Sequence, residues 1–226
     1  MDDRVLDYGD VLLRHRDVEL LKGPEWLNDQ LIGFFFEYLQ HEVHAALSPR
    51  LLLLPGSAAF LLASLGADGG GAEVVLAPHG FPGSTHLALF AINNNRDVEA
   101  VEGGSHWSLL AWAAADGAFR HYDSAGGINA AAAARVAAAA AAALPGGSSK
   151  VVQQPMPQQM NGWDCGLYVL ALARLLCGRY AADGDAMRFE IAGSEVGPAS
   201  VAALRNELHD LIAAKVAAAA AAGGGS

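Results

Sequence analysis

Three uninterrupted runs of a single residue stand out in this chain, all of them alanine: Ala130–Ala134, Ala137–Ala143 and Ala217–Ala222. Alanine is the best helix former but too weakly hydrophobic to hold a segment in a bilayer. The 53% apolar content and mean hydropathy of +0.25 therefore do not mark a membrane protein, and no run of about 20 strongly apolar residues is read in the sequence. The alanines read as low-complexity growth of helix-tolerant surface without chemistry, so the core must come from short mixed segments broken by Gly and Pro. A chain of 226 residues suits one domain, 1–222, with 223–226 as a frayed tail. A formal charge of −10 without a basic cluster disfavours nucleic acid and anionic membranes as partners. The N-terminus, Met1-Asp2-Asp3-Arg4, lacks the basic and apolar regions of a signal peptide. If Cys165 and Cys177 share one helix, they lie about 18 Å apart, beyond disulfide reach. A reducing compartment, cytoplasmic and/or nuclear, is the resulting expectation.

The spacing of Leu31, Ile32, Phe35, Phe36 and Leu39 predicts a buried helix within 27–47, capped by Asn28 or Asp29. Short strands are expected at 73–76 and 86–92, with a polar loop over 93–105. Residues 106–112 and 117–123 read as a hairpin turning near Asp116-Gly117. The spacing then predicts a helix over 130–144, a strand over 150–154 and a helix from Gly166 to Cys177 stopped by Gly178. A last helix covers 198–222. Helices flanking central strands without strict alternation make the class α+β.

Chemistry concentrates at Gln158-Gln159-Met160-Asn161-Gly162-Trp163-Asp164-Cys165-Gly166. This segment sets a cysteine where a polar loop enters an apolar helix. Backbone N–H groups at a helix N-terminus favour reactive thiolates, although a small buried residue is the common fate of a free Cys. Cys177, among leucines, reads as packing. A nucleophilic Cys needs a base and a group to orient it. Of the eight His, His106 is set apart by its delivery on Gly103-Gly104-Ser105 to a strand start and by Trp107 beside it. Asp123 is the candidate orienting acid. A two-residue turn at Asp116-Gly117 would set the pair about 13 Å apart, so this reading requires a longer loop, with Ala113–Asp116 placing His106 opposite Asp123, or a bulge. Gln159 offers an amide donor that, with the Cys165 backbone N–H, suits an oxyanion. It also reads as an ordinary loop amide.

The order His106, Asp123, Gln159, Cys165 differs from the Cys, His, Asn order of papain-like enzymes. Together with Trp26-Leu27-Asn28-Asp29, Ala91-Ile92-Asn93, His106-Trp107-Ser108-Leu109-Leu110 and His121-Tyr122-Asp123-Ser124, it resembles the sentrin/SUMO-specific protease family. The short N-terminus, with Val11-Leu12-Leu13-Arg14, is most like the deneddylase branch. The resemblance spans Met1 to about Cys177. It implies a papain-like/adenovirus-proteinase-like fold with a central mixed sheet, and a thiol isopeptidase cutting after the C-terminal Gly-Gly of a Nedd/Rub-type modifier. It implies no cofactor or metal. It also implies that Trp26 and Trp107 roof a tunnel for the modifier's tail, that Asp29 contacts that tail, and that residues 96–104 close over the modifier. Read from the residues alone, Trp26 is a hydrophobic staple and Asp29 a cap. A SUMO- or ubiquitin-directed protease, an acyltransferase with the same residue order and an inactive modifier-binding module are the alternatives.

Overall fold

The computed structural model describes residues 3–66, 70–95 and 104–223. It begins with a hairpin, β1 (Arg4–Tyr8) and β2 (Val11–Arg14), followed by a short helix α1 (His15–Glu19) and by α2 (Asp29–Tyr38). The hairpin has no counterpart among the expected elements. Asn28 caps α2, accepting from the Leu31 N–H at 3.1 Å. A mixed five-stranded sheet follows in the order β3-β4-β5-β6-β7, made by Leu51–Leu54, Leu87–Asn93, Trp107–Ala113, Phe119–Tyr122 and Val151–Gln154. Its outer pairs are parallel and its inner pairs antiparallel. Helix α3 (Gly56–Ser64) crosses from β3 to its parallel neighbour β4, α4 (Ala130–Ala141) connects β6 to β7, and α5 (Cys165–Asp183) and α6 (Pro198–Gly223) complete the fold. The architecture is α+β with a mixed sheet, as expected.

Strands β3, β4 and β5 are buried almost end to end because helices cover both faces of the sheet. On one face α2, α5, α6 and the N-terminal hairpin bury Leu31, Phe34, Leu109, Leu170 and Leu204. On the other, α3 and α4 bury Leu62, Phe90, Leu110, Trp112 and Val136.

Several expectations fail for physical reasons. Residues Ala72–Leu76 form a π-helical turn rather than a strand, since Val75 and Leu76 pack beside α3 where no strand edge receives them. Helix α5 continues through Gly178 to Asp183. The guanidinium of Arg179 supports that extension by donating to the carbonyls of Arg188 and Glu190, both at 3.0 Å. The stop moves to Gly184, at φ 57. Segment Cys165–Ala186 is long and apolar enough to cross a bilayer by composition, contrary to the expectation, but most of it is buried within the fold. The alanines of α4 are not surface growth either. Ala132, Ala133, Ala137, Ala139, Ala140 and Ala141 are all buried against the sheet, where a small side chain brings the helix close. Ala217–Ala222 are exposed, as expected. Residues 96–103 and 224–226, which include most of the expected closing loop and the tail, lie outside the described residues.

Candidate active site

The His106–Asp123 pair depends on the length of the β5–β6 connection. Register pairs Trp112 with Phe119 and Leu109 with Tyr122, so residues 113–118 form the loop. It is longer than the four residues expected, and Asp123 lies opposite Ser108 rather than His106. Because side chains alternate along strands, His106 and Ser108 share a face, and Asp123 becomes the diagonal neighbour of His106. His106 Nε2 meets Asp123 Oδ1 at 2.6 Å, with both residues about 95% buried. The carboxylate is further held by the Ala125 N–H at 2.8 Å and the Asn129 N–H at 2.9 Å.

Cys165, the first residue of α5, is the second side chain within hydrogen-bonding reach of the imidazole. Since Nε2 is committed to Asp123, Nδ1 is the nitrogen left for the thiol. Burial alone would depress the His106 pKa, but hydrogen bonding and charge from Asp123 and Cys165 outweigh it and lift the pKa to about 9. Burial opposes ionisation of Asp123 too. The hydrogen bonds from His106, Asn129 and Ala125 prevail and hold its pKa below the usual carboxylate value. The neighbouring His121 is fully buried, and its ring nitrogens meet Ser108 Oγ at 2.8 Å and Gln153 Oε1 at 2.7 Å. Desolvation lowers its pKa. His121 is a neutral brace, and His106 is the base the geometry offers.

The loop before Cys165 is tied down residue by residue. Asn161 Oδ1 accepts from the N–H groups of Trp163 and Asp164 at 3.1 and 3.0 Å, and its Nδ2 donates to Asp164 Oδ2 at 2.8 Å. Arg205 of α6 donates to Asp164 Oδ1 at 3.0 Å and to the carbonyls of Leu20 and Glu25. Gly166 lets Leu27 lie against the start of α5, since a Cβ there would sit 2.9 Å from Leu27 Cβ.

The adjacent glutamines differ in what they leave free. Gln158 spends both amide hydrogens, on the carbonyls of Asp123 and Met156, and its oxygen accepts from the Gly126 N–H. Gln159 accepts from Ser124 Oγ and donates once, to the Asn161 carbonyl, both at 2.7 Å. One of its two amide hydrogens remains. Cys165 occupies a first-turn position whose backbone N–H has no helical acceptor.

The expected substrate residues lie around Leu27. Trp107 is buried on β5 and donates its indole N–H to the Leu27 carbonyl at 2.8 Å. Gly56 sits against it, where a Cβ would come within 2.5 Å of the indole and 2.6 Å of Asp29 Oδ1. Trp26 is 46% exposed and donates to the carbonyl of Gly162 in the cysteine loop. Asp29 does not cap its own helix. Its Oδ1 accepts from the Ser57 N–H at 3.0 Å, and burial raises its pKa against the backbone donors of Ser57 and Gly56. Cys177 is fully buried, and desolvation pushes its pKa up. Among the described residues, no group of three or more His, Cys, Asp or Glu is placed to hold a metal. Asn129, Asn161 and Arg205 escaped the sequence reading. Asn129 sits just before an alanine run, where it reads as a helix cap, although its side chain makes no cap bond.

Residues 92–192, which carry His106, Asp123, Gln159 and Cys165, match the sequence profile of the Ulp1 protease family, C-terminal catalytic domain. The NEDD8-specific protease 1 of Arabidopsis thaliana is 34% identical over 216 residues, covering 93% of each chain. The chain belongs to the Ulp1 family of cysteine proteases. Human sentrin-specific protease 8 is also 34% identical, over 94% of this chain and 97% of its own. Among solved structures, the C-terminal Ulp1 protease domain bound to Smt3, the yeast ortholog of SUMO, superposes with a TM-score of 0.66 at 20% identity. That match covers 94% of this chain and 87% of the other and bears on the fold alone. Membership makes the protein a cysteine peptidase, and the buried His106–Asp123 pair beside a helix-leading Cys165 is arranged for Ulp1-family thiol chemistry.

Proposed function

We propose that the protein is a deneddylase, a cysteine isopeptidase that cleaves after the C-terminal Gly-Gly of a Nedd/Rub-type modifier, both maturing its precursor and releasing it from target lysines. The 2.6 Å contact between His106 and Asp123 beside Cys165 carries the chemistry. The 34% identity to NEDD8-specific protease 1, over an alignment that covers 93% of the chain, supports the substrate.

In the first step Cys165 Sγ attacks the carbonyl carbon of the modifier's terminal glycine with the proton of the pair held on His106, as the raised pKa of that imidazole favours. The negative charge on the tetrahedral oxygen is met by the free amide hydrogen of Gln159 and the backbone N–H of Cys165. A donor so placed is worth about 3 kcal/mol. His106 then gives its proton to the departing lysine amine, leaving a thioester on Cys165. Water, deprotonated by His106, attacks that thioester, and the modifier leaves as a carboxylic acid with the thiol restored. Asp123 stays ionised throughout, fixing the tautomer of His106 and stabilising its imidazolium.

Trp26 and Trp107, on either side of Leu27, roof the path of the modifier's tail. Trp107 is rigid because its indole is anchored to Leu27, so that part of the path stays narrow and suits glycine. Asp29, held by Ser57 at the start of α3, lies beside Trp107 at this path and is the carboxylate that meets the tail.

Hydrolysis of C-terminal fluorogenic amides of NEDD8, SUMO and ubiquitin tests the proposal. Turnover of NEDD8-amide, abolished in Cys165→Ala, is expected. Turnover of SUMO- or ubiquitin-amide alone would move the assignment to that modifier, and binding without turnover would make the chain a modifier-binding module.

A further inference from the structure

The β4–β5 ladder ends at the pair Asn93 and Trp107, so His106 stands one residue beyond the last rung of the sheet. Its carbonyl is caught by a side chain from elsewhere. Asn129, fully buried at the start of α4, donates from Nδ2 to the His106 carbonyl at 3.1 Å and to the Ile92 carbonyl of β4 at 3.1 Å. Its backbone N–H donates to Asp123 Oδ2 at 2.9 Å. The orientation of this amide is fixed by the network, because two carbonyl oxygens demand the NH₂ end. Its Oδ1 is buried and has no hydrogen-bond partner among the described residues, so the side chain serves the two carbonyls through its NH₂ end alone.

We infer that Asn129 is a positioning residue for catalysis: it joins the ends of β4 and β5 to the carboxylate of Asp123, so that base and acid are held by one buried side chain and its own backbone. Upstream, Asn94 supports the same approach, its Oδ1 accepting from the Ser105 N–H at 2.7 Å and its Nδ2 donating to Ser105 Oγ at 3.0 Å. Those bonds fix Ser105, however, and leave the His106 carbonyl to Asn129. Without Nδ2, the His106 backbone loses its tie to β4, and the imidazole can drift from both Asp123 and Cys165. A displacement of about 1 Å is enough to cost roughly 10²-fold in rate.

The inference rests on the reading of His106 as the base. Asn129→Ala is expected to lower kcat about 30-fold with KM changed less than about threefold, and to move the His106 titration midpoint down by about one unit or more in the free protein. Asn129→Ser, which retains a hydroxyl donor, is expected to lie between the two and guards against an alanine variant that does not fold. Ala133→Gly, a buried change in α4 that leaves these side-chain bonds intact, serves as the control for plain loss of helix stability. It is expected to lower Tm with kcat unchanged. Asn129→Ala with kcat within threefold and an unmoved His106 midpoint would overturn the inference. So would an equal kcat loss in Ala133→Gly at matched Tm. Because the titration needs no substrate, it decides the matter even where none of the modifiers is cleaved, an outcome that would count against the proposed function instead.

Discussion

Asp123→Asn separates the charge of the acid from its geometry. Asp123 accepts from His106 and Ala125 at Oδ1 and from Asn129 at Oδ2. A carboxamide that presents its oxygen to His106 and Ala125 keeps the tautomer of His106 and loses the negative charge, and its NH₂ then faces the Asn129 N–H donor to donor, so the Asn129 bond is lost as well. In the native pair, Asp123 and Cys165 overcome desolvation and raise His106 from 6.5 to about 9. That difference of roughly 2.5 units corresponds to about 3 kcal/mol. If Asp123 supplies the larger share, its charge is worth about 2 kcal/mol, or roughly 30-fold in proton affinity. Two-dimensional NMR of the free enzyme should then show the His106 midpoint falling by about 1.5 units, with kcat reduced about 10²-fold or more. The sign of the stability effect follows. A raised imidazole pKa contributes stability that is fully present below 6.5 and lost as pH rises through about 9. The lowered Asp123 pKa contributes stability present above 3.8 and lost as pH falls through its folded value. The stability gap between wild type and Asp123→Asn should therefore narrow from pH 6.5 to pH 10. A His106 midpoint that stays near 9 in the variant, or a kcat within threefold of wild type, would refute this reasoning.

Gly166→Ala places a methyl group 2.9 Å from Leu27 Cβ; it should cost about 1–3 kcal/mol in urea unfolding and lower kcat more than it changes Tm, because the shift begins beside Cys165. Arg205→Ala frees Asp164 from α6; about 1.5–3 kcal/mol of stability is expected to go with that charged hydrogen bond, with slower acylation in single-turnover assays. Ala133→Leu, in the buried run, should destabilise by about 1–3 kcal/mol, whereas Ala219→Leu, in the exposed run, should stay within about 0.5 kcal/mol; equal effects would contradict the burial of α4.

What was legible in the sequence was chemistry attached to punctuation. Cys165 stands where a loop of Gln, Asn and Gly meets an apolar helix, and His106 follows two glycines into a strand, so both could be placed before any contact was known. Loop length was harder, because residues 113–118 contain Asp116-Gly117, which imitates a tight turn, while the register is set by packing of Leu110, Trp112 and Phe119. Local propensity misled at Ala72–Leu76, where β-branched valines pack as a turn, and at Gly178, where the bonds of Arg179 carry α5 onward. The alanines of α4 looked like filler because nothing in a run of identical side chains shows which face is covered. Asn129 was invisible for a related reason: an Asn before a helix reads as a cap, and its bonds to His106 and Ile92 join segments 23 and 37 residues away.

The central claim is that Cys165 is the nucleophile of a NEDD8-directed protease. It is tested most directly by incubating the protein with NEDD8, SUMO and ubiquitin bearing C-terminal electrophiles, then mapping adducts by mass spectrometry. The account predicts rapid modification by the NEDD8 probe at Cys165 alone, strongly slowed in His106→Ala, with the buried Cys177 untouched. An adduct on Cys177, no adduct with the NEDD8 probe, or faster labelling by the SUMO probe would contradict it.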